Sequence, residues 1–140
     1  KDMVSSSLSK FSKRLKKKIG HKKTIKVKTV NLGEHLYSLN IDFIDEYLSD
    51  AQGYDLKILK SLENYIMNNK ILKITCEVNR NNKLNPYYES DNYEDSFYKY
   101  LPSQYKKAAS GQGNLIVGRF EYIPSSSNHF DITWINTALS

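Results

Sequence analysis

Six consecutive residues, Asp50-Ala51-Gln52-Gly53-Tyr54-Asp55, gather acids, an amide and a phenol at one place in the chain. The stretch before them, with Ile41, Phe43, Ile44, Tyr47 and Leu48, has the β-branched and aromatic content of a strand. After them, Leu56, Leu59, Leu62 and Ile66 recur at spacings of three or four and make one apolar helical stripe. Gly53 lies at the junction and permits a turn that other residues avoid. An acid that ends a strand and turns tightly into a helix stands at the carboxyl edge of a sheet, where open α/β sheets bind ligands. Asp50 is therefore a candidate proton acceptor or ligand-orienting group, or else the cap of its own turn. Tyr54 either faces a ligand or packs on the sheet edge. Asp55 falls in the first helical turn, where a carboxylate gains about 0.3–1 kcal/mol from unpaired amides.

Other chemistries do not assemble. His21, His35 and His129 are scattered, and with Cys76 alone there is no zinc spacing. His35 reads as a surface or boundary residue. No Gly-x-Ser-x-Gly elbow and no Walker loop occurs.

The positioning elements follow in order. Residues 1–23 read as a basic loop or arm, with one helical turn around Phe11, Leu15 and Ile19. Thr24 to Val30 alternates as a half-exposed strand, and Asn31 to Leu39 suits a short helix with Glu34 in its first turn. The helix from Tyr54 is expected to end near Asn68-Asn69. Ile71 to Val78 is the next strand, so strand, helix and strand imply a parallel pair with a crossover. Glu77 then lies on the same edge as Asp50.

Asn79 to Asn92 is a polar, irregular loop, functional or disordered. Tyr93 to Leu101 is helical, and Pro102 opens a second short helix that Gly111 stops. Tyr87, Tyr88, Tyr93, Phe97, Tyr98, Tyr100 and Tyr105 either pack these helices or stack on a ligand ring. Leu115 to Tyr122 and Phe130 to Asn136 read as an antiparallel hairpin. Gly111-Gln112-Gly113 precedes a strand, which makes it a loop and not a phosphate or cofactor cradle.

At 140 residues the chain is one domain, and 39% hydrophobic with 26% charged residues describes an ordinary globule, not a disordered segment. No apolar run approaches the length of a membrane span. The lone cysteine forbids an internal disulfide and, with no Asn-x-Ser/Thr acceptor, favours the cytoplasm. Charge is uneven: residues 1–30 hold eleven Lys/Arg against Asp2, leaving ten Lys/Arg and fourteen acids in the rest. The lysines of segment 10–28 are a solvated loop or a phosphate-binding patch for nucleic acid.

The run from Asp50 to Ser61 resembles the hallmark of FkbM-type methyltransferases, in which a strand ends in Asp-x-Glu-Gly or Asp-x-Gln-Gly before an acid and a leucine-rich helix. Val30-Asn31-Leu32, Thr75-Cys76-Glu77-Val78 and Phe130-Asp131-Ile132-Thr133-Trp134-Ile135-Asn136 follow the family's order. The likeness spans most of this chain and only the carboxyl-terminal part of the family's domain. It implies a partial Rossmann-like α/β sheet and O-methyl transfer from S-adenosylmethionine to a hydroxyl of a sugar or small molecule. Asp50 would be catalytic, Asp50 and Ala51 would touch the cofactor, and Gln52, Tyr54 and Glu77 the acceptor. Gln52 stands where glutamate is more usual, which speaks against a metal ligand there. The glycine-rich turn that holds the cofactor in this class is missing, so the chain is expected to be part of a longer enzyme or a truncated relative. Two other readings stay open: a non-catalytic basic module that binds nucleic acid or another polyanion, and methylation of an RNA ribose.

Overall fold

The computed structural model of the chain describes residues 25–81, 90–116, 119–123 and 128–139. The expected basic arm, Tyr87 and Tyr88 lie outside them. The first helix, α1 (Leu32–Ser38), starts where Asn31 accepts a hydrogen bond from the Glu34 amide at 3.1 Å, as its sequence requires. His35 is exposed on it. The first strand, β1 (Ile44–Ser49), leads through the Gly53 turn into α2 (Asp55–Lys60) and α3 (Glu63–Met67), and these return the chain to β2 (Ile71–Asn79). The strands β1 and β2 are parallel, with Ile44 beside Ile71 and Ser49 beside Cys76.

The single helix expected from Tyr54 onward is therefore two short ones. Ser61 breaks it: its hydroxyl donates to the Ile58 carbonyl at 2.6 Å, competing with the helical ladder. The same joint explains Gly33, because a Cβ there would stand 2.3 Å from the Ser61 carbonyl oxygen. Only glycine lets α1 cross so close. Asn69 takes a left-handed conformation (φ 54°) and ends α3, where the sequence placed the stop.

After α4 (Glu94–Tyr100) come β3 (Tyr105–Ile116), β4 (Arg119–Ile123) and β5 (His129–Asn136). The strand order is β1-β2-β5-β3-β4. The class is α/β with a mixed sheet: β5 is antiparallel to both β2 and β3, and β4 extends the far half of β3.

Three expectations are corrected. First, β5 does not pair with β4 as a hairpin; it inserts between β2 and β3, because its alternating Phe130, Ile132 and Trp134 match Val78, Cys76 and Ile74 in register. The stretch after Pro102 is a strand and not a helix, so Gly111-Gln112-Gly113 lies inside β3. Ladder pairing with β5 overrides the local helix signal there. Residues 25–30 form no strand, and Ile25, Val27 and Val30 are 65%, 56% and 63% exposed. Alternation without a neighbouring edge makes no ladder.

The core lies on one face of the sheet. Ile74, Cys76, Val78, Phe130, Ile132 and Trp134 meet Leu56, Leu59, Leu62, Ile66 and Phe97 from the helices, all buried. Phe97 stacks on Trp134 with ring centres 5.5 Å apart, and Tyr98 meets the same indole edge-on. The tyrosine-rich region thus packs the fold. On the other face Thr75 and Thr133 share a hydrogen bond of 2.9 Å. No helix among the described residues is long and apolar enough to cross a membrane.

Candidate functional site at the carboxyl ends of β1 and β2

The register that sets Ser49 beside Cys76 places Asp50 and Glu77 one residue further, at the same edge of the parallel pair. Glu77 is in turn the register partner of Asp131 on β5. A row of three acids therefore crosses the sheet edge, with Asp55 of α2 beside it.

The hinge that carries Asp50 is built on Asp55. This carboxylate is fully buried, accepts the Ser49 hydroxyl, and accepts the Ala51 amide at 2.9 Å. Burial lifts its pKa above the usual carboxylate range, and the hydrogen bonds from Ser49 and Ala51 oppose that rise. Gln52 (φ 51°) and Gly53 (φ 90°) are both left-handed, which gives the turn its sharpness. Asn92 locks the far side. Its side chain accepts the Leu56 amide at 2.9 Å, donates to the Glu77 carbonyl at 2.8 Å, and lies 3.4 Å from Asp55. Ser90 adds a bond of 2.6 Å to the Gly53 carbonyl.

Asp50 itself is exposed, and the Gln52 amide donates to it at 2.6 Å. Ala51 and Gln52 are half-buried. Tyr54 is half-buried and turned to Lys57, whose ammonium donates to its hydroxyl at 2.8 Å and sits 4.8 Å over its ring. Glu77 has a side chain only 13% exposed, and His129 Nε2 stands 3.9 Å from it, an ion pair when the imidazole is protonated. Burial, and then the charges of Asp50, Asp55 and Asp131, push the Glu77 pKa up to about 8. Cys76 lies beneath, wholly buried, with its thiol pushed up by burial, so it offers no nucleophile.

Comparison with family models, with curated proteins and with solved structures gave no match.

The structure sets Asp50 level with Glu77 at the edge expected for both, with Ala51 and Gln52 in the turn that follows, while Tyr54 is engaged by Lys57. The sequence did not single out Ser49, Asn92, Asp131 or His129. Asp55 was read as a helix-end charge, whereas its main partners are the Ser49 hydroxyl and the Ala51 amide. A signal for that role was present: an acid four residues beyond an amide in a tight turn can fold back onto it. Asn92 gave none, being one asparagine among several in a polar stretch. Among the described residues no group of histidine, cysteine and acids could hold a metal ion.

The raised Glu77 pKa sets a pH dependence of stability. A carboxyl whose folded pKa exceeds its unfolded value stabilises fully below the unfolded value and loses that contribution as pH rises through the folded one. The protein is therefore expected to be more stable at pH 5.5 than at pH 9. Glu77→Gln, neutral throughout, should flatten the slope and stabilise the protein by roughly 1–3 kcal/mol at the alkaline end. Urea unfolding at several pH values measures this; parallel curves for the two proteins would refute it.

Proposed function

We propose that this chain is the acceptor-side part of an S-adenosylmethionine-dependent O-methyltransferase of FkbM type, acting on a hydroxyl of a sugar or other small molecule in the cytoplasm. The observation that carries the reading is the rigid hinge from Ser49 to Asp55, which holds an exposed Asp50 at the carboxyl end of a parallel strand, level with Glu77. The parallel pair with crossover helices and antiparallel strands beyond it supports the Rossmann-like half-sheet that the resemblance implies. The lone, buried Cys76 supports the cytoplasmic setting.

The residues fit one end of the cofactor. The acids Asp50 and Asp131 at the rim suit a cationic sulfur, and Ala51 brings its backbone to the same edge. The described residues supply no glycine-rich turn for the rest of it, since Gly111 and Gly113 are built into β3. When bound, S-adenosylmethionine supplies an electrophilic methyl group on a sulfonium. This chain's part is to bind and orient the acceptor and to move its proton. Asp50 would accept the proton that the acceptor hydroxyl gives up on methylation. Gln52 fixes the Asp50 carboxylate by its hydrogen bond, and Tyr54 borders the acceptor. Glu77, with its raised pKa, donates a hydrogen bond to a second hydroxyl of the acceptor. Positioning of this kind is worth up to roughly 7–11 kcal/mol of the barrier.

The test is methyl transfer from labelled S-adenosylmethionine to a panel of sugars and small alcohols by the polypeptide that carries this chain. Extractable labelled ether product is the expected result. Absence of product, together with no thermal stabilisation by the cofactor at any concentration, would overturn the reading.

A further inference from the structure

The last registered pair of β1 and β2 is Ser49 with Cys76. Beyond it the two chains fork. One enters the Gly53 turn toward α2, while the other runs on beside β5 to Asn79. Asp50 and Glu77 are the first residues past the fork, where the parallel ladder runs out.

Asn92 spans that fork. Its backbone belongs to the β2 side: the Asn92 carbonyl accepts the Asn79 amide at 2.7 Å and the Asn79 side chain at 3.1 Å, and Tyr93 bridges to Asn79. Its side chain reaches the other way. One N–H of the carboxamide donates to the Glu77 carbonyl at 2.8 Å and the other to Asp55 Oδ2 at 3.4 Å, while the oxygen accepts the Leu56 amide at 2.9 Å. Asp55 holds the Ala51 amide with its other oxygen. A continuous run of bonds thus leads from Ala51, next to Asp50, through Asp55 and Asn92 to Glu77. Asn92 is 1% exposed, so water does not replace a lost partner there.

We propose that Asn92 is a positioning residue of the site, the strut that sets the distance between Asp50 and Glu77. Under the function proposed above, on which this rests, the two carboxyl groups must meet two hydroxyls of one acceptor at once. A carboxamide of this length fits the task. It offers two donors and an acceptor in one plane, and all are used. Aspartate would carry no donor for the Glu77 carbonyl and would set a second carboxylate against Asp55. Leucine, of similar volume, would leave the Leu56 amide and the Glu77 carbonyl unpaired. Asn92 therefore acts through Glu77 and Asp55, not on the acceptor.

Glu77 reports the state of the strut. Its pKa is pushed up to about 8 by burial first, and then by the charges of Asp50, Asp55 and Asp131. A fork that opens admits water and draws Asp50 and Asp55 away, and both changes lower that value.

Asn92→Ala removes the strut, and Asn92→Ser, whose hydroxyl is too short to join the same partners, removes it with a smaller void. Carbon-13 NMR of the glutamate carboxyls follows the titration in the full chain, with Glu77 assigned by the signal lost in Glu77→Gln. Each variant is measured where its far-UV spectrum matches that of the wild type. The Glu77 midpoint is expected to fall by about one pH unit or more in both variants. In the polypeptide that transfers methyl groups, kcat should fall at least about tenfold while the cofactor dissociation constant stays within about twofold. An unchanged Glu77 midpoint in a folded variant overturns the proposal, and so does an unchanged kcat. A wild-type protein without methyl transfer defeats the function proposed above, and the Glu77 midpoint then still decides whether Asn92 holds the rim.

Discussion

Under the proposed function, Asp50→Ala is expected to lower methyl transfer by about 10²–10⁴-fold, the usual contribution of a positioned general base. The fold should not notice. Asp50 is exposed, and its one described contact is the hydrogen bond from Gln52, so the change in stability should stay within roughly ±0.5 kcal/mol. Asp50→Asn separates proton transfer from shape: the amide keeps the outline and a hydrogen-bonding oxygen for Gln52 but accepts no proton. It should lose as much turnover as alanine while affinity for the cofactor is retained. Single-turnover rates of the three proteins, with cofactor binding measured separately, make the comparison. Near-normal turnover in either variant would remove Asp50 from the mechanism and leave it as the outer residue of a turn.

The rim was legible because local rules acted alone there. A β-rich run, a glycine and an i, i+3, i+4 leucine stripe place Asp50 at a strand-to-helix junction without any knowledge of what packs against it. Ile71 to Val78 was equally plain, because Leu72, Ile74, Cys76 and Val78 alternate with Lys73, Thr75 and Glu77 as a strand with one core face requires. What the sequence did not show depended on partners far along the chain. The residues 105–116 carry weak local preference, and only the ladder with β5 makes them a strand. The place of β5 between β2 and β3 is a long-range choice that hydrophobic matching of Trp134 to Ile74 decides and spacing cannot. The opposite error occurred at residues 25–30, where the pattern of a strand is present and a neighbour is absent among the described residues. Asn92 illustrates the same limit within the site. Its long-range hydrogen bonds are with Leu56, Glu77, Asp55 and Asn79, up to 37 positions away in sequence.

Asp55→Ala is expected to be the most damaging substitution for the hinge, with a loss of about 2–4 kcal/mol at pH 5.5. Truncation strands the half-buried Ser49 hydroxyl and Ala51 amide and one donor of the buried Asn92, and a buried donor without a partner costs about 1–3 kcal/mol. The raised pKa of Asp55 tempers this with a definite sign. Since the folded value lies above the ordinary one, the contribution of the carboxyl is complete in acid and declines as pH rises through the folded value. The deficit of the alanine variant should therefore be larger at a pH below that folded value than at one above it. Asp55→Asn keeps an oxygen for Ser49 and Ala51 without the charge, so it should retain most of the stability and flatten the dependence. Urea unfolding of the three proteins at both pH values supplies the test; a loss under about 0.5 kcal/mol for alanine would refute the anchoring role. Function follows the same bond. If the Ala51 amide is released, Gln52 and Gly53 no longer have a reason to hold their left-handed turn, and Asp50 loses its fixed place beside Glu77. The alanine variant should then lose turnover at temperatures where it is still folded, which separates a hinge that aims the carboxylate from one that merely joins a strand to a helix.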